Sequence, residues 1–175
     1  MVLLALSRRT LAFVVFLGSA AVLGWLIFGE SDEQRILGNL RELAQAAGTR
    51  EGEAITFRTA RLNGVFKELL HPEVTFDAPE LERVQGIQPL SLLAASAPRA
   101  YGDFDVSLGE SDVELDAKSK RAQVTARVTL EGGRGGEVRR DSRSVHFQLV
   151  EHDGEWKVQG IQVAAKTNEE PEARP

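Results

Sequence analysis

The side chains able to do chemistry are few and widely spread. The chain has no cysteine, which excludes disulfides, thiolate nucleophiles and cysteine-ligated zinc. Its three histidines, His71, His146 and His152, are too far apart in sequence for a short metal-ligand motif. His146 stands between Val145 and Phe147, so strand parity puts it on the face opposite the apolar set. His71 precedes Pro72 at a helix end and His152 precedes a turn; capping and solvent suit both. Asp103, Asp105, Ser107 and Glu114 follow a calcium-loop spacing, but Leu108 occupies the position whose sharp turn needs glycine. The same residues fit the solvated face of a strand. Gly132, Gly133, Gly135 and Gly136 precede no helix, so they read as a loose hairpin connection and not as a phosphate cradle. Arg139, Arg140 and Arg143 form a small basic patch, read as a solvated strand face able to dock an acidic partner. The sequence calls for no metal and no cofactor.

The elements that must position these residues follow from periodicity. Ser31 with Gln34 three residues later is a capping box. Ile36, Leu37, Leu40, Leu43, Ala44 and Ala47 then repeat on one helical face, and Gly48 suits the stop. A second helix is expected from Glu51 to Leu70, with Ile55, Leu62, Val65, Phe66 and Leu69 as its apolar stripe and Pro72 ending it. Val74 to Phe76 and Leu81 to Val84 read as short strands, and Pro89 to Ala97 as a small helix stopped by Pro98. From Tyr101 the period becomes two. Phe104, Val106 and Leu108 share one parity, whereas Val113 and Leu115 have the other. A strand that keeps one face buried must absorb that shift, so a bulge or bend is expected from Gly109 to Asp112. Ala122 to Leu130, Val145 to Leu149 and Trp156 to Ala164 give three further strands, with Asp153-Gly154 as a tight turn. The order is helices, two short strands, a small helix, then a four-strand antiparallel meander: an α+β pattern in which one sheet folds over the helices.

Ahead of this domain lie eighteen uncharged residues, Leu11 to Phe28, spanning roughly 27 Å as a helix. Arg8 and Arg9 precede them, and Glu30, Asp32 and Glu33 follow. That asymmetry orients a membrane anchor with its N-terminus in the cytoplasm. A cleaved signal peptide, with Ser19-Ala20-Ala21 as the small-residue site, and a twin-arginine export signal at Ser7-Arg8-Arg9-Thr10-Leu11 are the rival readings, but the apolar run continues too far for an ordinary cleaved segment. Ala20 and Gly24 form a small-xxx-small pair, a spacing common by chance. The expected organisation is a cytoplasmic N-terminus over 1–10, an anchor over 11–28, one domain over 29–166 and a disordered tail over 167–175. The chain carries a formal charge of −5, which disfavours nucleic acid as a partner.

Three pieces of the domain resemble the nuclear transport factor 2-like (SnoaL-like) superfamily over Glu33 to Lys166. They are Leu69-Leu70-His71-Pro72-Glu73-Val74, then Val84-Gln85-Gly86-Ile87, then Asp153-Gly154-Glu155-Trp156-Lys157-Val158. The resemblance implies a cone-shaped roll: a strongly bent antiparallel sheet around the helices, with room for a pocket lined by Phe66, Phe76 and Phe104. It also implies a candidate base. In the ketosteroid-isomerase-like members, an aspartate on the first short strand is a general base nine residues before a glycine. Asp77 stands so relative to Gly86. That chemistry also needs oxyanion donors, often a tyrosine on the first helix; here Tyr101 is the one tyrosine in the chain. The alternative reading of Asp77 is a solvated turn residue ahead of Pro79.

The inward-alternating positions carry Ala, Val, Leu, Ile and Phe, and force no polar pair into a shared pocket. A hydrolase or isomerase needs a buried, convergent polar group. The expectation is therefore a single-pass protein of a bacterial inner membrane. Its periplasmic domain would be a non-enzymatic interaction or scaffold module that contacts other envelope proteins and forms a homodimer. The alternative is a tethered small-molecule binder, or an isomerase-like enzyme using Asp77.

Overall fold

The computed structural model describes residues 31–134 and 137–166. The expected anchor at Leu11 to Phe28, the segment before it and the tail over 167–175 lie outside the described residues. Among the described residues no helix is long and apolar enough to cross a membrane.

Helix α1 covers Asp32–Ala47 and opens with the capping box. Ser31 N donates to Gln34 Oε1 and Gln34 N donates to Ser31 Oγ, each at 3.2 Å. Its buried stripe is Ile36, Leu40, Leu43, Ala44 and Ala46. Helix α2 covers Ile55–Leu69, starting at Ile55 and not at Glu51. It runs straight into β1, Leu70–Ala78, which is longer than the strand expected at Val74. Strand β2 is Leu81–Gln85, and helix α3 is Ile87–Ser96. Pro98 does more than stop α3: with its fixed φ it opens a short helix α4, Pro98–Tyr101. The remaining strands are β3 Asp103–Asp116, β4 Arg121–Arg134, β5 Glu137–His152 and β6 Glu155–Val163.

The six strands lie in the order β2-β1-β6-β5-β4-β3. The meander from β3 to β6 is antiparallel as expected. The sheet as a whole is not, because β1 runs parallel to β6. This corrects the expectation of an antiparallel sheet: α2 delivers β1 beside the last strand in the same direction. Pro72 lies where the β1–β6 register is interrupted, between Leu70 and Thr75, which suits a residue without an N–H.

Two bulges keep the apolar side chains on one face of this curved sheet. Leu108 pairs with Val128 and Ser111 with Ala126, so Gly109 and Glu110 together oppose Arg127. That is the shift demanded by the parity change in β3. The second lies in β6, where Val158 pairs with Leu149 but Gly160 pairs with Gln148. It moves the inward set from Trp156 and Val158 to Ile161 and Val163. Gly132 and Gly133 are ladder residues of β4, paired with Phe104 and Asp103, and not part of a loose connection. A Cβ on Gly132 would sit 2.2 Å from Asp103 O and 2.5 Å from Phe104 Cβ, so only glycine permits this approach.

The concave face closes over one core that includes Ile36, Leu40, Leu62, Phe66, Val124 and Val158. Each fully buried Leu, Ile or Val contributes about 1.5–3 kcal/mol.

Candidate functional site

Ile55, expected on the apolar stripe of α2, is 42 % exposed, and the buried stripe begins instead with Arg58, four residues before Leu62. It is 2 % exposed. Its Nη1 donates to Gly48 O at 2.7 Å and its Nη2 to Ala47 O at 2.6 Å, with a longer bond to Ala94 O of α3 at 3.4 Å. Arg61, one turn later, donates from Nη1 to Ala46 O at 2.6 Å and from Nη2 to Gly48 O at 3.3 Å. The end of α1, whose final carbonyls have no intrahelical donor, is thus capped by two guanidinium groups from α2.

Glu53 supplies the counter-charge. It accepts from Arg61 Nε and Nη2 at 2.7 Å each and stands 3.8 Å from Arg58. The bond to Arg61 holds the Glu53 carboxyl below its ordinary range and raises Arg61 in turn. Burial, with the neighbouring Arg61 charge second, lowers Arg58. The Phe104 ring lies 5.5 Å from the Arg58 guanidinium carbon, and Tyr101 meets Phe104 edge-on at 6.5 Å. This cluster joins α1, α2, α3 and β3. Its donors already face carbonyls and a carboxylate, apart from Arg58 Nε, which is buried without a partner. The period of α2 could have pointed to Arg58, because a cation inside an apolar stripe needs internal acceptors.

The residues singled out by sequence are placed as follows. Phe66 and Phe76 pack in the main apolar core, whereas Phe104 packs beside Arg58 and Tyr101. Asp77 alternates with the inward-facing Phe76 and Ala78, on the opposite face of β1. Its Oδ2 accepts from Arg83 Nη2 at 2.7 Å and from Arg83 Nε at 3.2 Å. The Asp77 side chain is 41 % exposed.

Of the basic patch, Arg143 pairs with Glu80 at 2.6 Å and with Asp141 at 3.2 Å. Arg140 lies 3.9 Å from Glu131. The register places Arg139 and Arg143 opposite Gly132 and Val128, but Arg140 opposite Glu131, so the patch is divided between the two faces of the sheet. The fold brings His71 and His152 together, edge to face at 5.6 Å. Among the described residues no group of three potential ligands could hold a metal ion. The calcium-spaced set is stretched along β3.

The convex face has a different composition. Gln123, Thr125, Ser142, Ser144, His146, Gln148 and Gln162 lie on it through the paired registers of β4, β5 and β6. Thr125 Oγ1 bonds His146 Nδ1 at 3.0 Å, and Thr129 Oγ1 bonds Ser142 Oγ at 2.5 Å. A shallow 290 Å³ cleft on this face is lined by Glu110, Thr125, Arg127, Ser142 and Ser144, among others. A second cleft of 500 Å³ lies at the β3–β4 turn beside Leu115, Asp116, Ser119 and Arg121. Neither is lined by Asp77 or by the three phenylalanines.

No family model matches the sequence, and no curated relative does. Solved structures do match. A nuclear transport factor 2-like protein with a cystatin-like fold from Novosphingobium aromaticivorans is 14 % identical, with a TM-score of 0.57. That alignment covers 93 % of this chain and 92 % of the other. A nuclear transport factor 2-like protein from Cytophaga hutchinsonii is 17 % identical over 78 % of this chain and 100 % of its own, with a TM-score of 0.58. The association domain of CaMKII from C. elegans is 14 % identical over 76 % of this chain and 95 % of its own, with a TM-score of 0.57. At these identities the likeness is one of fold, and the described domain has the nuclear transport factor 2-like fold.

Proposed function

We propose that this domain is a non-enzymatic interaction or scaffold module of a bacterial cell envelope. In this reading Leu11 to Phe28 anchors it in the inner membrane and the domain works in the periplasm. It contacts other envelope proteins and pairs with a second copy through its convex sheet face. The observation that carries the reading is the allocation of charged side chains. Arg58 and Arg61 are committed to the carbonyls of α1, Asp77 to Arg83 and Arg143 to Glu80. Catalysis needs convergent groups held ready for a substrate. The convex stripe suits a partner, since Gln123, Thr125, His146, Gln148 and Gln162 place neutral polar groups side by side and no carboxylate or ammonium among them must be desolvated. The CaMKII domain of similar fold is, by its name, an association domain.

The absence of cysteine allows a clean test with the full chain in its membrane. A Thr125→Cys variant should form a disulfide-linked dimer, and in-membrane cross-linking with mass spectrometry should recover envelope partners. Recovery of neither a homodimer nor a partner would overturn the reading. A reporter fused to the C-terminus and active only in the cytoplasm would overturn the topology.

A further inference from the structure

Strand β3 forms one edge of the sheet, beside β4, and is 14 residues long. Its first outward position is occupied. Thr49 N donates to Phe104 O at 2.7 Å, and Phe104 N donates to Thr49 Oγ1 at 2.8 Å. In an antiparallel ladder a residue's N–H and C=O point to the same side, and alternate residues repeat the direction. Val106 and Leu108 therefore aim their backbone groups outward as Phe104 does, and no strand among the described residues meets them.

The side chains along this open edge alternate in character. Asp105, Asp112 and Glu114 project to the convex side, with Glu110 in the bulge. Val106, Leu108 and Val113 are half-buried on the concave side, and Leu115 is 43 % exposed. Asp105, Glu110, Asp112 and Glu114 have no ion-pair partner among the described residues. For three of them the cross-strand neighbour is not a cation: Asp105 faces Glu131, Asp112 faces Thr125 and Glu114 faces Gln123, whereas Glu110, in the bulge, lies opposite Arg127 without pairing with it. Asp105 and Glu131 are like charges directly opposite each other, which is unfavourable. A cation brought to this edge would be attracted by the unpaired carboxylates.

We propose that β3 accepts an extended cationic segment of another protein as a seventh strand. Lys or Arg at every second position would lie against Asp105, Glu110, Asp112 and Glu114. Apolar residues between them would cover Val106, Leu108, Val113 and Leu115, and the backbone would continue the ladder. Charge excludes two other occupants. A second β3 would set acid beside acid, and an anionic membrane surface would be repelled. The inference concerns the open edge of β3, whose carboxylates border the convex stripe at Gln123 and Thr125, and does not rest on tethering or self-pairing.

The test uses the full chain in nanodiscs of zwitterionic lipid and a fluorescent, end-capped peptide of about ten alternating Lys and Val residues, long enough to follow Val106 to Leu115. Fluorescence anisotropy should show saturable binding that weakens with added salt. Replacing the four carboxylates together (Asp105→Asn, Glu110→Gln, Asp112→Asn, Glu114→Gln) should weaken binding at least ~10-fold. On the unaltered protein, a peptide N-methylated at alternate residues to block pairing should bind at least ~10-fold more weakly. A peptide of the same composition with Lys and Val in two blocks should do the same. No binding of the alternating peptide overturns the proposal. So does equal binding of the N-methylated or block peptide, which would mean attraction by charge alone. If envelope partners are recovered by cross-linking while the peptide fails, this inference falls and the scaffold reading stands.

Discussion

Two charged regions of this molecule, one beside Phe104 and one along the strand that carries Phe104, are treated in opposite ways. At the end of α1, Arg58 and Arg61 are drawn inward and matched to three backbone carbonyls and Glu53. Along β3, Asp105, Asp112 and Glu114 face outward beside neutral or acidic neighbours, and Glu110 stands unpaired in the bulge opposite Arg127. Burial explains the difference. A desolvated cation is tolerated only with acceptors around it, whereas a solvated carboxylate is screened by water and can remain unmatched. The matched region is therefore structural, and the unmatched one is free to act on something outside the chain.

The largest effect should come from breaking the matched side. Arg58→Ala removes the donor to Ala47 O and the shorter donor to Gly48 O and leaves a void beside Phe104, and should lower stability by about 2–5 kcal/mol in denaturant unfolding. A loss below ~1 kcal/mol would dissolve the contrast, since surface changes alone reach that range. Gly132→Ala tests the strand approach that brings Phe104 beside Arg58. Its Cβ would meet backbone at 2.2 Å, so a loss of about 1–3 kcal/mol is expected by thermal unfolding. Glu53→Gln should cost about 1 kcal/mol at neutral pH. Because the folded-state pKa of Glu53 is lowered, its contribution is present above the ordinary carboxylate range and disappears as pH falls through the folded value. The gap between wild type and Glu53→Gln should thus close in acid; a gap that widens in acid would contradict the assignment. The smallest effects belong to the unmatched side. Asp112→Asn with Glu114→Gln should change stability by no more than about 0.5 kcal/mol, and in the stabilising direction if at all. Asp77→Asn, which breaks an exposed pair with Arg83, should cost less than about 1 kcal/mol.

Local patterns made part of this architecture legible. The parity change between Leu108 and Val113 required the bulge at Gly109, and the bulge is there. Trp156 and Val158 against Ile161 and Val163 carry the same signal for β6, where a single extended strand was expected. The parallel contact of β1 with β6 could not be read in this way, because no periodicity within either segment names its partner. Arg58 was hidden for another reason. It sits on the apolar stripe of α2, but its acceptors belong to the end of a different helix, and only the assembled fold shows that they meet. Gly132 looked like loop because glycine clusters usually mark turns; here the requirement is space against Phe104.

The arginine cap also bears on the order in which the chain assembles. Its bond to Gly48 spans only ten residues, so the helical hairpin of α1 and α2 can close quickly and with little loss of chain entropy. The parallel contact that seals the sheet joins Leu70 to Val158 and must wait for nearly the whole domain to be in place. In refolding experiments Arg58→Ala should slow the folding limb, whereas substitutions in the β1–β6 contact should mainly hasten unfolding.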